Sequence, residues 1–263
     1  MRLLAAVSAP LALLPALAAA LAARSDIVPS FVPAAVGAAS PALAAADGPS
    51  PTEITIQRVR TGGTGCPRRA VSTSISDDRT SVTLGFDEFQ TGTGRGRRRE
   101  DRDKQCRITM GLHYPSGYSF AVLEATYHGF AQLDSGVTGS FESGYSFVDD
   151  DDRPVAGEFR NGGGSGGGGG GARRKAPEGE SVTLRSSVQG GGEWKNGKVY
   201  TKTDKVETSK VVRSPCGKNV RLVIRTRLDL TNSGNETAEG TLTGDDATFA
   251  FTQQVNIGWE KCT

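Results

Sequence analysis

Apolar residues recur at every second position in several stretches of this chain, and this period constrains the fold more than any other feature. Side chains of a β-strand alternate between the two faces of a sheet, whereas a helix repeats its apolar face every three to four residues. Two polar residues, Thr226 and Gln253, occupy positions of the apolar phase. The sequence predicts an all-β fold, an antiparallel, jelly-roll-like β-sandwich. The series are Val82, Leu84 and Phe86; Cys106, Ile108, Met110, Leu112 and Tyr114; Val220, Leu222, Ile224, Leu228 and Leu230; and Phe249, Phe251, Val255, Ile257 and Trp259.

The dipeptide Asn196-Gly197 is the clearest turn signal in the chain. Asparagine and glycine tolerate the positive φ angles of a type I′ turn, which joins the two arms of a β-hairpin. The sequence therefore predicts a hairpin with one arm over residues 193–195 and the other over residues 198–200.

The N-terminal segment has the composition of an export signal. Behind Arg2, residues 3–23 contain only Leu, Ala, Val, two prolines and one serine. This pattern predicts a signal peptide over residues 1–23, with a membrane anchor as the alternative that Pro10 and Pro15 disfavour. Residues 24–51 stay rich in Ala, Pro and Ser, which indicates a linker or pro-segment, and cleavage as late as Ala44 remains open.

Residues 52–263 are predicted to form a single β-sandwich domain with a flexible, glycine-rich insertion near residues 149–180. The insertion begins with four aspartates, Asp149–Asp152, and continues with a run over residues 161–171 that is almost entirely glycine. Glycine loses the most backbone freedom on ordering, so this run is typical of a loop or linker. Two alternatives remain open, a boundary between two domains and a calcium site at the aspartates.

Four cysteines behind an export signal predict two disulfides. The sequence leaves all three pairings of Cys66, Cys106, Cys216 and Cys262 open. The sequon Asn235-Glu236-Thr237 predicts a glycosylation site at Asn235, which suits an exported protein.

Several segments, in order and spacing, resemble a family of secreted proteins from fungi and some bacteria that is catalogued as domain of unknown function 4360. The resemblance implies an exported, cysteine-paired β domain and carries over no catalytic residue, because the family has no assigned chemistry. The matching segments are Gly65-Cys66-Pro67, Val71–Phe89, Gln105–Ile108, Tyr118–Val137, Ser214–Gly217 and Trp259–Cys262.

Composition excludes several classes of function. With 31 basic and 29 acidic residues the net charge is only +2, which gives no sign of a nucleic-acid partner. Two histidines in the whole chain argue against a histidine-based metal site, and no Gly-x-Ser-x-Gly elbow is present. We expect no cofactor, no metal and no catalytic residue. A carboxylate pair drawn from Asp87, Glu88, Glu124 and Asp134 would serve the alternative, a secreted carbohydrate-active hydrolase or lyase.

Two strand faces are candidate binding surfaces. The phase of Ala121, Leu123, Ala125, Tyr127, Ala131 and Leu133 predicts that these side chains lie inside. On the opposite face lie Phe120, Glu124, His128 and Phe130. The second candidate surface is the strip of Arg221, Arg225 and Arg227, which we expect on the water-facing side of an edge-type strand.

Other residues allow weaker hypotheses. The basic run Arg95–Lys104 could dock an anionic glycan or phosphate, although a mobile loop is the simpler interpretation. Sugar rings could stack on Tyr118, Tyr145, Trp194 and Tyr200, although aromatic residues in strands more often pack inside.

The sequence as a whole predicts a secreted, extracellular, non-enzymatic binding or surface-interaction domain. The expected partner is an extracellular glycan or a host or cell-wall component. We expect no association with nucleic acid, nor with a membrane after signal cleavage, and the oligomeric state stays open.

Overall fold

The computed structural model describes residues 48–155, 181–216, 220–234, 237–242 and 251–262. The predicted signal peptide over residues 1–23, nearly all of the linker, the glycine run and Asn235 lie outside the described residues. Within the described residues the chain is built from β-strands and four 3₁₀ turns. The strands are β1 (Thr55–Gly62), β2 (Val71–Ile75), β3 (Ser81–Phe86), β4 (Thr91–Thr93), β5 (Asp103–His113), β6 (Tyr118–Leu133), β7 (Val137–Val148), β8 (Ser181–Gln189), β9 (Lys198–Lys205), β10 (Arg221–Asn232), β11 (Gly240–Leu242) and β12 (Phe251–Lys261). The turns are Pro51–Glu53, Arg99–Asp101, Gly192–Asn196 and Thr208–Lys210.

The strands form two antiparallel sheets whose inner faces share one hydrophobic core. The first, which we call sheet A, has the order β1-β5-β10-β7-β8. The second, sheet B, has the order β2-β3-β12-β6-β11-β4, and β9 also pairs with β6. Aromatic rings from both sheets meet between them, as Tyr127 of β6 does with Phe141 of β7. The predicted all-β sandwich is confirmed.

The period-two series lie where the sequence predicts. Val82, Leu84 and Phe86 are buried, and so are the apolar residues of β5 and β10 that share a phase. The two polar exceptions, Thr226 and Gln253, are also fully buried and hydrogen-bond to each other across the two sheets, with 2.8 Å between Thr226 Oγ1 and Gln253 Oε1. Gln253 Nε2 donates a further bond of 2.7 Å to the hydroxyl of Tyr145. The two exceptions are therefore buried polar residues whose hydrogen bonds are made inside the core.

A β-bulge in β6 corrects the prediction for one side of that strand. The register with β12 shifts between Asn256 and Ile257, which face Glu124 and Val122, so Leu123 is the extra residue. A bulge reverses the alternation of the strand on one side of it. As a result Leu123 is 41% exposed and Phe120 is completely buried, although the uninterrupted phase predicts the opposite.

The predicted hairpin at Asn196-Gly197 is wrong. Residues Gly192–Asn196 form a 3₁₀ turn, and the chain crosses there from β8 in sheet A to β9 in sheet B. Gly197 does have the positive φ of 79° that the signal requires. Gly197 is a turn residue, as the sequence predicts, but the strands on its two sides belong to different sheets.

Two disulfides join Cys66 to Cys106 and Cys216 to Cys262, which are 40 and 46 residues apart in sequence. Cys66 lies in the segment that leads from β1 to β2, and its partner is in β5. Cys216 precedes β10 of sheet A, and its partner ends the described part of sheet B. Closing loops of this length stabilises a domain by typically 2–4 kcal/mol each.

Candidate functional site

The outer face of sheet A carries a row of residues that pair across all five strands. Gly62 of β1 lies opposite Arg107 of β5, and Arg107 lies opposite Arg225 of β10. Arg225 lies opposite Gly144 of β7, which in turn faces Thr183 of β8. Directly paired residues of an antiparallel sheet project to the same side. Two arginines thus stand side by side with a glycine on each flank.

Neither flanking glycine is demanded by the packing. A Cβ built on Gly62 has no neighbour within 4 Å, and one built on Gly144 meets only Thr183 Oγ1, at 3.8 Å. Neither glycine is among those with positive φ. Glycine weakens the interior of a strand and often marks a place where a ligand approaches the backbone closely. These two positions keep the floor of the face open.

The arginine pair has no acidic partner among the described residues. Arg107 and Arg225 are both exposed, and neither takes part in an ion pair in that part of the chain. Partial burial and the neighbouring charge of Arg107 lower the pKa of Arg225 from its usual value. The pair is therefore a concentration of positive charge that the described fold leaves uncompensated.

The next row of the same face is electrically balanced. Arg227 lies opposite Gln105 and Glu142. It makes two hydrogen bonds, of 2.9 and 2.7 Å, to the carboxylate of Asp103 in the row beyond it. Arg185 donates a bond of 2.7 Å to Glu142. The bonds from Arg227 lower the pKa of Asp103 against the opposing effect of burial, so this carboxylate is ionised at neutral pH. These arginines therefore have carboxylate partners, whereas the positive charge of Arg107 and Arg225 has none among the described residues.

Together the two rows line an open groove of about 420 Å³. Its described lining consists of glycines, Cys106 and polar or charged residues, and it includes a single carboxylate, that of Glu142. The lining residues are Gly62, Gly63, Gln105, Cys106, Arg107, Glu142, Gly144, Ser181, Thr183, Arg225, Thr226 and Arg227.

The third arginine of the predicted strip lies elsewhere. The side chain of Arg221 is buried, donates a hydrogen bond to the carbonyl oxygen of Asp149 and lies 3.3 Å from the carboxylate of Asp152. Asp152 also pairs with Arg60 of β1 at 3.7 Å. The expectation of an edge-type strand is wrong, because β10 is the central strand of sheet A, and the expected exposure to water holds for Arg225 and Arg227 but not for Arg221. Only Arg225 and Arg227 reach the groove.

The aspartate run is tied to sheet A by these contacts. Asp149 also accepts hydrogen bonds from the backbone of Asp151 and Arg153, which closes a tight turn. Among the described residues no group of three or more acidic, histidine or cysteine side chains could hold a metal ion. At its described end the run anchors a loop against β1 and β10.

The predicted binding face on β6 is a paired surface of sheet B. His128 Nδ1 and Thr201 Oγ1 of β9 share a hydrogen bond of 2.9 Å. Glu124 accepts a bond of 2.9 Å from Asn256 of β12, and its other oxygen lies 3.6 Å from Lys205 Nζ. These residues face outward, as the sequence predicts, but they bind their cross-strand neighbours.

Phe120 and Phe130, the two aromatic residues predicted for the binding face on β6, are both at least partly buried. Phe120 lies in the core, with its ring centroid 5.2 Å from that of Phe147 and 5.3 Å from that of Trp259. Phe130 is half-buried, and its ring lies against the 3₁₀ turn, where a Cβ on Gly197 would come within 2.4 Å of it. Neither ring is an open platform for a ligand.

Two of the four aromatic residues considered for sugar stacking are in the core. Tyr145 and Tyr200 are almost completely buried, and burial raises the pKa of both hydroxyls well above the usual value. Trp194 is partly buried against the core, with the ammonium of Lys198 5.7 Å from its ring centroid. Tyr118 is half-buried at the start of β6.

The carboxylates considered for a hydrolase occupy separate elements. Asp87 and Glu88 follow β3, and Asp134 follows β6, where it accepts a hydrogen bond from the backbone of Glu239. Glu124 is held on the outer face of sheet B. The groove on sheet A contains none of the four.

The basic run has a smaller depression beside it. This depression has a volume of about 250 Å³, and its lining includes Arg97, Lys104 and Thr241. Asp101 lies in the same lining, 3.9 Å from the ammonium of Lys104. The basic charges of this run are interleaved with acidic ones, in contrast to the arginine pair of the groove.

Sequence reasoning found Arg225 and Arg227 but missed Arg107, Gly62 and Gly144. Arg107 stands in the outer phase of the Cys106 series, where a charged residue attracts no notice. The usable signal was Gly144, a glycine inside the strand over residues 137–148. Its pairing with Arg225 depends on strands that are far apart in sequence.

The family model described as Domain of unknown function (DUF4360) matches residues 52–262. A relative from Arthroderma benhamiae, named Uncharacterized secreted protein, is 31% identical over 215 residues, which cover 82% of this chain and 74% of the relative. Disulfides suit the oxidising environment outside the cell. The predicted secretion and the predicted family are both confirmed.

Two solved structures show a loose likeness. One is TmCBM61 in complex with beta-1,4-galactotriose, with a TM-score of 0.21 and 11% identity, covering 78% of this chain and 89% of that one. The other is the enzymatically active domain of bacteriophage CBA120 tailspike protein 4, with a TM-score of 0.20 and 11% identity, covering 80% and 20%. TM-scores this low say nothing about the fold or function of this chain. Within the described part of the chain, no helix has the length and apolar character to cross a membrane.

Proposed function

We propose that this chain, which belongs to the family described as Domain of unknown function (DUF4360), is an extracellular binding protein that holds a segment of polysaccharide in the groove of sheet A without cleaving it. The observation that carries the proposal is the open floor at Gly62 and Gly144. The packing requires neither glycine. Gly62 pairs with Arg107 and Gly144 pairs with Arg225, so the two glycines lie on either side of the arginine pair. A rigid sheet with an open floor can receive an extended chain without rearranging.

The chemistry of the lining favours a ligand rich in hydroxyl groups. Gln105 offers an amide, Ser181 and Thr183 offer hydroxyls, and the Arg107–Arg225 pair offers guanidinium donors. Grooves for peptides use apolar pockets, an open strand edge or, for acidic peptides, arginine clusters, and only the last of these features is present in the described groove. The groove crosses the middle of the sheet, where the backbone hydrogen bonds are already used by neighbouring strands.

The same lining argues for binding without cleavage. Glycoside hydrolysis uses two carboxylates, about 5 to 9.5 Å apart, on either side of the scissile bond. The described lining supplies only Glu142, and its carboxylate is held by Arg185. A bound polysaccharide would meet donors and acceptors but no acid–base pair.

A pull-down with the purified protein tests the proposal. We expect retention on at least one of insoluble chitin, β-glucan and pectin, with no release of reducing ends. Gly144→Val should abolish retention, because the new side chain projects into the groove. Gly117→Val is the matched control, since a Cβ there has no neighbour within 4 Å but lies in the turn before β6.

Two results would overturn the proposal. One is a wild-type protein that none of the three polymers retains. The other is Gly144→Val protein that folds and is retained as well as the control.

A further inference from the structure

We propose that the Arg107–Arg225 pair makes the groove selective for a polysaccharide that carries carboxylate groups, that is, a polyuronate. This inference rests on the proposed function and names the class of ligand. It starts from two like charges that lie directly opposite each other on adjacent strands.

Like charges in this position destabilise a sheet. Other arginines of sheet A avoid the problem, since Arg227, Arg185 and Arg221 each have a carboxylate partner. Arg107 and Arg225 have none among the described residues. A ligand anion placed between them would remove the repulsion and form charge-assisted hydrogen bonds with both.

The surroundings of the pair give an anion access to both guanidinium groups. Gly62 and Gly144 leave the floor open on either side, one beside Arg107 and one beside Arg225. Guanidinium groups bind planar oxyanions through two parallel N–H bonds. An extended chain could therefore lie along the row of paired residues with its carboxylates over the arginines.

The neighbouring row favours a sugar acid over a densely charged polyanion. Glu142 lines the groove, and Asp103 is bound to Arg227 just beside it. A polyphosphate or nucleic acid would bring its charges against these carboxylates. A polyuronate has hydroxyl groups between its carboxylates. These hydroxyl groups can hydrogen-bond to Gln105 and Thr183, and one of them can lie beside Glu142 without charge repulsion.

Binding assays with one polymer in two charge states test this inference. Polygalacturonate should bind, and its fully methyl-esterified form should bind at least ten-fold more weakly. Arg107→Gln and Arg225→Gln should each weaken binding of polygalacturonate by about ten-fold or more, the usual effect of losing a hydrogen bond to a charged group. Arg58→Gln, an exposed arginine four residues from Gly62 on β1, is the control and should bind like wild type.

The possible failures are distinguishable. Equal binding of the esterified and the charged polymer, both blocked by Gly144→Val, would overturn the polyuronate inference and leave the proposed function standing. Equal or tighter binding of inorganic polyphosphate would also overturn it, because charge alone would then suffice. Absence of binding to any polysaccharide would overturn the proposed function as well. A thermal melt of each variant shows that it is folded.

Discussion

At the scale of single residues, the groove carries a cost that the protein could avoid. Arg225 faces Arg107, whereas its neighbour two positions along β10, Arg227, has Asp103 as a partner. Cross-strand pairs contribute about 0.2–1 kcal/mol, favourable for opposite charges and unfavourable for like charges. Binding sites commonly keep such unfavourable arrangements because the ligand relieves them.

The first prediction follows from this contrast. Arg225→Thr should raise the free energy of unfolding by about 0.2–1 kcal/mol, because it removes the repulsion and places a good strand former in β10. Arg227→Thr should lower it, because Asp103 loses its partner. Urea denaturation of both variants checks the prediction, and a clear loss of stability in Arg225→Thr would contradict it.

The buried Gln253 gives a second prediction. Its side chain binds Thr226 and Tyr145 in the core between the sheets. Gln253→Ala leaves both hydroxyls without that partner, and each buried polar group left unsatisfied costs about 1–3 kcal/mol. We expect a large loss of stability in urea denaturation.

Its control is Gln254→Ala, one residue along β12. The side chain of Gln254 is exposed and donates a hydrogen bond of 3.4 Å to Asn256. This variant should stay near the wild type. Similar losses in both variants would mean that the buried bonds contribute little.

At the scale of elements, the alternation of apolar residues was enough to predict the strands but not their exceptions. The buried phase of β5 and β10 follows directly from the period of two. The bulge at Leu123 does not, because an extra residue is recognised only through the partner strand, and here the partner β12 is more than 120 residues away. The uninterrupted period of two places Phe120 on the wrong face for this reason alone.

The candidate site was predictable to the same extent. The position of Arg225 and Arg227 on one face of β10 follows from alternation. Their neighbours Arg107 and Gly144 come from β5 and β7, and which strands become neighbours is decided by the packing of the whole sandwich. Local sequence indicates a face but not what lies next to it.

Strand β7 provides the third prediction, because it carries one glycine on each face. On the inner side a Cβ at Gly139 would approach Leu242 Cδ1 to 2.8 Å, whereas the outer Gly144 has room. Gly139→Val should overpack the core and cost about 1–3 kcal/mol. Gly144→Val should leave stability unchanged or slightly raised, since valine is the better strand former.

Thermal melts of the two β7 variants under identical conditions test this prediction: we expect a lower melting temperature for Gly139→Val and an unchanged or slightly higher one for Gly144→Val. A melting temperature well below wild type in Gly144→Val would mean that the open floor is a structural requirement. The steric basis of the proposed function would then be lost.

At the scale of the whole molecule, the two sheets differ in what their outer faces present. Sheet A presents the groove, while sheet B closes the core behind it and pairs its own outer side chains with each other. The disulfide between Cys66 and Cys106 lies on the core side of the groove's floor, since Cys106 belongs to the lining but is itself buried. The geometry of the floor thus depends on how firmly the sandwich is held together.

The core also sets an alkaline limit for the molecule. Burial raises the pKa of Tyr127 to about 12, and raises the pKa of Tyr145 and Tyr200 well above the usual value. In the unfolded chain these hydroxyls ionise near pH 10. Their contribution to stability is therefore complete below pH 10 and is lost as the pH rises toward the folded-state pKa values. Each tyrosine adds a slope of about 1.4 kcal/mol per pH unit in that window.

Tyr200 allows this limit to be tested without breaking a hydrogen bond. Its hydroxyl is buried and has no hydrogen-bond partner within the described part of the chain. Tyr200→Phe should be at least as stable as wild type at pH 8 and should lose stability less steeply between pH 10 and 11.5. Urea denaturation across this range measures how steeply the free energy of unfolding falls with pH. Tyr118→Phe, at a half-buried tyrosine, is the control. An unchanged slope in Tyr200→Phe would mean that this tyrosine ionises in the folded protein as readily as in the unfolded chain, so that the packing between the sheets admits water.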